Sequence, residues 1–592
     1  MLATATESPA VLASDWLARF AAAQGDEAAL RQLFEAESHW RDVLALTWRI
    51  RTLSSRDALV PELRRCAAGA RAARFELDPT RTPPRQVMRA GTACIEAIFR
   101  FETAVGRGSG VLRLLEGDAP KAWTFLTALE EIRGHEETVG RRRPTGQLYS
   151  RDFAGPNWLE QRNFCKQFTD REPAVLVVGG GQAGLSIAAR LAQLGVDTLI
   201  VDRWPRVGDN WRRRYDALTL HNQVHVNHLP YLPFPPSWPV YIPKDKLANW
   251  FESYAEAMEL NYWAGTEFEG GRYEEGARRW SVQVRRADGS RRELHPRHVV
   301  LATGVSGIPN VPRIAELEGF AGKVIHSGEY RDGEPWRGRR VVVIGTGTSG
   351  HDIAQDLYAA GAHVTIVQRS PTLVIQCDPS AQLVYGLYSE GPPLEDCDLV
   401  TVSMPLPLAK RTHQLATAQA KSLDKPLLDA LAHQGFRLTD GEDGTGWQFM
   451  YLTRGGGYYF NVGCSDLIAA GKIALAQFSE LENLLKGADL VVLATGYKGQ
   501  EALVDKLFGA EMAARVGPIW GFGEGQELRN MFQRTPQPGL WFIAGSFAQC
   551  RIYSKYLALQ IKAAEIGLVT ACDTSADAAC SPAPAPRPCS GS

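Results

Sequence analysis

The 592 residues contain no Cys-x-x-Cys pair and no paired cysteine or histidine spacing of the kind that holds zinc. The ten cysteines, at 66, 94, 165, 377, 397, 464, 550, 572, 580 and 589, are scattered. A disulfide framework and a structural zinc site are thereby set aside, and reduced thiols in a cytoplasmic protein are the expectation. No apolar run approaches the roughly 18 residues of a membrane span. The opening stretch, with Glu7 and Asp15, lacks the basic start and apolar centre of a signal peptide. Charge of one sign is missing as well. With 65 Lys and Arg against 66 Asp and Glu, no global field draws the chain to nucleic acid or anionic lipid. The chain is nonetheless too long for one hydrophobic core, so two or three domains are expected.

Residues 1–150 read differently from the rest of the chain. Helical patterns come first, over 15–23, 27–35 and 40–48, and strand-like segments come after them at 94–102, 110–115 and 122–132. Helices followed by antiparallel strands make a small α+β domain. That order, together with Trp40, Arg41 and Asp42, resembles the cone-shaped nuclear transport factor-like (SnoaL-like) fold. The resemblance implies a pocketed or dimerising module, so a homodimer is one expectation. His39 and Asp42 are read as surface or capping residues rather than catalysts. The basic, turn-rich stretch 140–146 reads as a solvated linker, and the Ala/Ser/Pro-rich residues 571–592 as a disordered tail.

The remainder alternates strand and helix signals, the pattern of an α/β fold. A buried-strand run, Val175 to Val178, leads into Gly179, Gly181 and Gly184 in a Gly-x-Gly-x-x-Gly pattern and then into a helical segment. This is the context a dinucleotide-binding loop requires. The first glycine permits the tight turn, the second lets the backbone approach a pyrophosphate, and the third lets helix and strand pack closely, with the helix N-terminus facing the anion. A second strand ends in Asp202, 23 residues past Gly179, where a carboxylate can accept hydrogen bonds from a ribose. The arrangement recurs at Gly345, Gly347 and Gly350. There Gln368, Arg369 and Ser370 stand where Asp202 and Arg203 stand in the first unit. Without the acid, and with a guanidinium in its place, the second loop suits a ribose 2′-phosphate. FAD is therefore assigned to the first Rossmann unit and NADPH to the second. A disulfide reductase needs a redox cysteine pair beside its flavin, which this sequence does not offer.

Between the loops stand Phe320, Gly322, His326 and Tyr330, which match the F-x-G-x-x-x-H-x-x-x-(Y/F/W) fingerprint of class B flavoprotein monooxygenases. The segment through Gly208, Trp211, Tyr215 and His221 is similar to the flavin-side segment of the flavin-containing monooxygenases. The run from Leu229 to Pro235, with Pro243 to Asp245, resembles the YUCCA-type branch. Paired Ala-Thr-Gly strand ends, with Thr303 and Gly304 in one and Thr495 and Gly496 in the other, resemble the crossings between nucleotide domains in these enzymes. This implies an FAD domain at 171–310 and 485–570, interrupted by an NADPH domain at 311–484.

The resemblance, over roughly 170–570, implies that NADPH reduces FAD and that O₂ adds to the reduced flavin as a C4a-(hydro)peroxide. One oxygen atom then passes to a small organic substrate by N-, S- or carbon-oxygenation. No nucleic acid or membrane takes part. Asn222 is the candidate amide beside the flavin, with lining the ring edge or capping a turn as its alternatives. His326 and Tyr330 are expected at the domain junction, helping to hold NADP⁺, with Trp211 also near the flavin. Baeyer–Villiger oxygenation is the alternative within the class, and a non-catalytic flavoprotein scaffold the alternative outside it. Residues 377–457, with Trp447, Phe449 and Tyr451, are expected to shape the substrate entrance, together with Tyr458 and Tyr459.

Overall fold

The computed structural model describes residues 8–117, 119–145, 153–305 and 307–571, so residue 146, the last of the expected linker, and nearly all of the expected tail lie outside the described residues. Among those residues no helix is long and apolar enough to cross a membrane.

The first domain is a seven-stranded, mostly antiparallel sheet with helices on one face. Helix Pro9–Ala23 begins at Ser8, whose hydroxyl accepts from the Val11 amide, and buries Trp16, Leu17 and Phe20. The strands expected at 94–102, 110–115 and 122–132 are present as Thr92–Glu102, Gly106–Leu115 and Lys121–Ile132. The helix expected over 40–48 is instead strand Phe34–Val43 and a turn, paired in parallel with Lys121–Ile132. Its period of two shows in the sheet: Trp40 and Asp42 reach Thr127 on the helix side, while Arg41, with Thr52 of the antiparallel neighbour Ile50–Ser54, points to the other face. Helix Arg56–Ala70 was not foreseen. Asp42 is fully buried rather than at the surface. It caps a turn, accepting from the amides of Leu46 and Thr47 and the hydroxyls of Thr47 and Thr127. Rings of Trp16, Phe20, Phe34, Phe75, Phe99 and Phe125 occupy the space between helices and sheet, with Phe99 stacked on Phe125 at 5.1 Å.

The opposite face of this sheet is covered by the rest of the chain. Arg41 donates to both carboxylate oxygens of Glu527 at 2.8 and 2.6 Å. Arg113, wholly buried, donates to Glu96 at 2.9 Å within the sheet and to the Ser403 hydroxyl at 2.8 Å across the junction. Arg89 bridges Glu96 and Glu390, and Arg81 holds Asp396 at 2.8 Å.

Beyond the linker, two parallel sheets carry the Rossmann units. The first runs Asn261–Trp263, Thr198–Val201, Val175–Val178, His298–Leu301 and Leu540–Phe542 in spatial order. The second runs Lys323–His326, Leu490–Leu493, Arg340–Ile344, His363–Gln368 and Ala474–Gln477. Leu490–Leu493 is therefore a central strand of the second sheet, and the expected boundary at 484/485 is corrected to the residues after it. A strand's sheet is set by its hydrogen-bond partners, which its own apolar run does not name. The crossing itself is a two-stranded pairing of Ile308–Pro309 with Tyr497–Lys498.

The buried charges at the domain junction give a test. Burial alone would raise the Glu96 carboxyl, but Arg113, Arg89 and Arg85 hold its pKa at about 2, below its ordinary 4.5. A depressed carboxylate stabilises the fold above its unfolded pKa, and that stability drains away as pH falls from about 4.5 to about 2. Arg113→Met is expected to cost about 3–5 kcal/mol in urea unfolding by leaving buried partners unpaired. Arg107→Ala, at the exposed pair with Glu131, is expected to cost less than about 1 kcal/mol.

Candidate functional site

The two glycine loops have the same local geometry. Gly179 sits at φ +106°, and a Cβ there would lie 2.7 Å from the Ala302 carbonyl oxygen; Gly345 sits at φ +115°, 2.4 Å from that of Ala494. A Cβ on Gly184 would stand 1.9 Å from the Gly179 oxygen, and one on Gly350 2.0 Å from the Gly345 oxygen. Side chains at these four places would wedge helix from strand. Gly181 and Gly347 are the N-caps of helices Gln182–Gln193 and Thr348–Ala359, and neither helix start is capped by a side chain. Both present bare amides and a positive dipole end to an anion.

Around the first loop, Asp202 is buried and accepts from the Gly180 amide at 2.7 Å and the Trp204 amide at 2.9 Å. Burial raises its carboxyl pKa, and those two amides oppose the rise. Arg203 is exposed and lies over the Trp204 ring. Four buried polar atoms beside this loop have no protein partner: Asn210 Oδ1, Trp211 Nε1, Thr303 Oγ1 and Gln500 Oε1. Gln500 donates its amide to the Gly304 carbonyl at 3.0 Å, and Gln182 donates to that of Gly545 at 3.2 Å. Gly304 sits at φ +73° with open space where a Cβ would go. Bare helix amides, a buried acid and unpartnered donors and acceptors fit a large polar ligand with a pyrophosphate.

At the second loop, Arg369 and Ser370 are exposed at the end of strand His363–Gln368. Gln368 does not face a ribose as its position suggested. It is fully buried, donating to the Arg437 carbonyl at 2.9 Å and accepting from the Arg437 amide at 2.8 Å. Arg437, 68 residues further on, in turn donates its guanidinium to the Arg369 carbonyl at 2.7 Å. A second cation thus stands beside Arg369, and no local sequence signal marks it.

His326 lies at the junction, with both ring nitrogens engaged. Nε2 donates to the Gly496 carbonyl at 3.0 Å, and Nδ1 accepts from the Gly328 amide at 3.1 Å. The Thr495 hydroxyl donates to the Asn310 carbonyl at 2.6 Å in the same crossing. His326 therefore ties the fingerprint strand to the second Ala-Thr-Gly segment, and with neither nitrogen free it is not placed to move a proton. Tyr330 departs from the expectation of a nucleotide contact. Its hydroxyl is buried and donates to Asp356 at 2.6 Å, about 12 Å down the helix from its phosphate-binding end. It braces the helix from the core. Tyr215 does the same from the first Rossmann unit, donating to Asp352 at 2.5 Å.

Asn222 opens onto a group of phenols that links the two loops. Its Nδ2 donates to the Tyr385 hydroxyl at 3.1 Å, and its backbone carbonyl accepts from Asn227 at 3.0 Å. Helix Gly446–Arg454 carries Trp447 and Tyr451 one turn apart. Tyr451 donates to Gln549, whose amide oxygen also accepts from Ser546, next to the Gly545 carbonyl held by Gln182 of the first loop. The Tyr458 carbonyl accepts from Thr348 at 3.1 Å, at the second loop, while its ring lies 5.8 Å from Trp447. This aromatic cluster thus reaches from one phosphate loop to the other through its hydrogen bonds. Of the aromatics expected at the substrate entrance, Trp447, Phe449 and Tyr459 are core: Trp447 lies edge-on to Phe460 at 4.8 Å, Phe449 packs on Phe522, and Tyr459 stacks on His351 at 4.0 Å. The loop bearing Asn222 is pinned by Arg551, which pairs with both oxygens of Asp398 and donates to the carbonyls of Val226 and His228.

A family model described as pyridine nucleotide-disulphide oxidoreductase matches residues 176–385. The indole-3-pyruvate monooxygenase YUCCA1 of Oryza sativa subsp. japonica is 34% identical over 216 residues, 36% of this chain and 52% of its own length. The probable indole-3-pyruvate monooxygenase YUCCA4 of Arabidopsis thaliana is 30% identical over 341 residues, 55% of this chain and 76% of its own. The chain thus spans about half of the rice relative and three quarters of the Arabidopsis one. A flavin-containing monooxygenase structure from Stenotrophomonas maltophilia aligns at a TM-score of 0.44 and 19% identity, over 66% of this chain and 98% of that one.

Gly184→Ala and Gly350→Ala place a methyl group within about 2 Å of a backbone oxygen. Each is expected to lower stability by about 1–3 kcal/mol or more, read by thermal unfolding. Gly195→Ala, which meets nothing within 4 Å although its φ is +66°, is expected to cost about 1–2 kcal/mol through the backbone alone.

Proposed function

The chain belongs to the YUCCA-type family of flavin monooxygenases, and from that premise we propose that it is an NADPH-dependent FAD monooxygenase acting on a small organic substrate. In the net reaction, one NADPH, one proton and one O₂ convert the substrate to its oxygenated product, NADP⁺ and water. The observation that carries this reading is the pair of uncapped dinucleotide loops of matching geometry, with four unpartnered buried polar atoms beside the first and no Cys-x-x-Cys pair in the chain to make it a disulfide reductase.

Gly179, Gly181 and Gly184 would hold FAD with Asp202 at a ribose, and the unpartnered atoms of Asn210, Trp211, Thr303 and Gln500 supply its further polar contacts. Gly345, Gly347 and Gly350 would hold NADPH, with Arg369, Ser370 and Arg437 toward the 2′-phosphate. Bound FAD supplies two-electron transfer and the activation of O₂. The protein's share is orientation: His326 and Thr495 hold the crossing, and Arg551 fixes the Asn222 loop. The N-terminal unit reads as a nuclear transport factor-like domain whose interior is filled and whose open sheet face braces the segments around Glu390 and Asp396. Because that face is spent on its own chain, a homodimer would need another surface. The cytoplasm is the proposed compartment.

The purified protein is expected to carry FAD, visible by its absorbance, and to oxidise NADPH in step with O₂ uptake. A colourless protein that neither binds flavin nor oxidises NADPH would refute the reading. Gly181→Asp should fold, since a Cβ there meets only the Asn210 amide at 3.0 Å, yet lose the flavin through charge and bulk at the pyrophosphate. Arg369→Ala should raise KM for NADPH about 30- to 150-fold and leave KM for NADH little changed, the loss of a guanidinium–phosphate contact of roughly 2–3 kcal/mol. Equal loss for both cofactors would make Arg369 structural and shift the 2′-phosphate contact to Arg437.

A further inference from the structure

We infer that Tyr215 and Asp352 are positioning residues for the reduction of FAD by NADPH: their hydrogen bond latches the first Rossmann unit to the second and so sets the approach of the two cofactors. This rests on the reading of the chain as a flavin monooxygenase. The step concerned passes one hydride from NADPH to FAD, leaving NADP⁺ and the reduced flavin anion, and needs no other reactant.

Tyr215 stands three residues past helix Asp209–Arg212, where Asn210 and Trp211 carry unpartnered atoms beside the first loop. Its ring nevertheless packs outside its own unit. It is buried among Tyr330, Ile353, Leu357 and Tyr459, in the apolar core of the second. A phenol taken out of water there needs an acceptor, and Asp352 supplies one at 2.5 Å. Asp352 begins the second turn of helix Thr348–Ala359, whose bare N-terminal amides belong to the second loop. One hydrogen bond thus connects the segment behind one phosphate site to the helix that makes the other. The Asp216 amide, next in the chain, donates to the Arg331 carbonyl at 2.9 Å and fixes the same approach.

The acceptor is a carboxyl with no Lys or Arg partner among the described residues, and burial raises its pKa to about 6 while the Tyr215 hydroxyl opposes the rise. Burial, with Asp352 adding to it, pushes Tyr215, Tyr459, Cys377 and Cys464 up, and burial pushes His351 on the same helix down to about 4. The charged side chains nearby are Arg214 beside Tyr215, Asp356 bonded to Tyr330, and Asp216 with Lys244, 3.7 Å apart. Above about pH 6 the latch is a charge-assisted bond to a carboxylate; below it the carboxyl is neutral and the bond weaker.

Anaerobic stopped-flow reduction of the full-length flavoprotein by NADPH separates the reduction rate constant from the NADPH Kd. In wild type the rate constant should rise about 3- to 10-fold as pH passes upward through about 6, the gain of a charged over a neutral acceptor. Asp352→Asn keeps an acceptor oxygen without the charge, and should lose this step and stay at the low-pH wild-type rate. Tyr215→Phe keeps the ring, and should slow reduction by NADPH about 5- to 30-fold with a Kd changed less than about twofold. Its reduction by dithionite, which needs no docked nicotinamide, should be unchanged. Deuterium uptake at the Asp216 amide, read on the full-length protein without NADPH, should be at least about fivefold faster in Tyr215→Phe. Reduction of Tyr215→Phe at the wild-type rate, slowing matched with dithionite, or a pH step that survives in Asp352→Asn would each overturn the inference while leaving a working monooxygenase. Should Tyr215→Phe lose its flavin, the wild-type and Asp352→Asn pH profiles decide. A wild-type protein without flavin would instead remove the functional reading, and unchanged uptake at Asp216 would then remove the latch as well.

Discussion

Both nucleotide sites depend on one close approach: the start of a helix pressed against the carbonyl at the end of the preceding strand. At Gly184 and Gly350 there is no room for a Cβ, because the oxygens of Gly179 and Gly345 occupy the place it would take. That contact fixes the direction in which the helix leaves the sheet. It therefore fixes where the uncapped amides of Gly181 and Gly347 point. The carbonyls of Ala302 and Ala494 close on the first glycines from neighbouring strands. Each phosphate loop is thus tied to an Ala-Thr-Gly crossing, and through the crossings to the other domain. His326, bonded to Gly496, reinforces the same link.

The aromatic cluster between the loops is built from what lies around these fixed points rather than from either Rossmann unit. Its phenols come from residues 380–389, 446–454 and 458–461, inserted in the second Rossmann unit. Such an insertion has little sheet of its own to hold it, apart from the two-stranded pairing of Leu373–Gln376 with Tyr458–Asn461. The N-terminal domain supplies part of the support: Arg89 holds Glu390 just beyond the Tyr385 segment, and Arg81 and Thr82 hold Asp396. Asp396 stands on helix Leu394–Val402, and from the same helix Asp398 grips Arg551, which reaches the Val226 and His228 carbonyls behind Asn222. Both partners of the Asn222–Tyr385 contact are therefore connected to the extra domain through charge-assisted bonds, buried at Asp396 and Arg551 and at the surface at Glu390. These are the bonds that hold geometry most stiffly once desolvated.

The glycine patterns, the acid at Asp202, its replacement at Arg369 and the fingerprint histidine were all legible in the linear sequence. Each follows from a requirement within about thirty residues of chain: a turn, a helix start, a strand end. The long antiparallel strands of the first domain were legible for the same reason. Strand Phe34–Val43 was not, because its alternation emerges only in the sheet, between Lys121–Ile132 and Ile50–Ser54. The strand Leu490–Leu493 was seen as a strand but given to the wrong sheet, since a fully buried parallel strand carries no mark of its neighbours.

The sequence by itself determined the fold class, the two loops and the chemistry each can receive, because those rest on local backbone sterics and on charge at fixed offsets. The tertiary structure alone decided what the remaining polar side chains do. It turned Gln368 and Tyr330 inward as braces, occupied both nitrogens of His326, and set Arg437 beside Arg369 across 68 residues. It also joined Asn222 to Tyr385 across 163 residues. A side chain's role depends on which donors and acceptors surround it once water has been removed, and packing brings those together from segments that carry no shared signal.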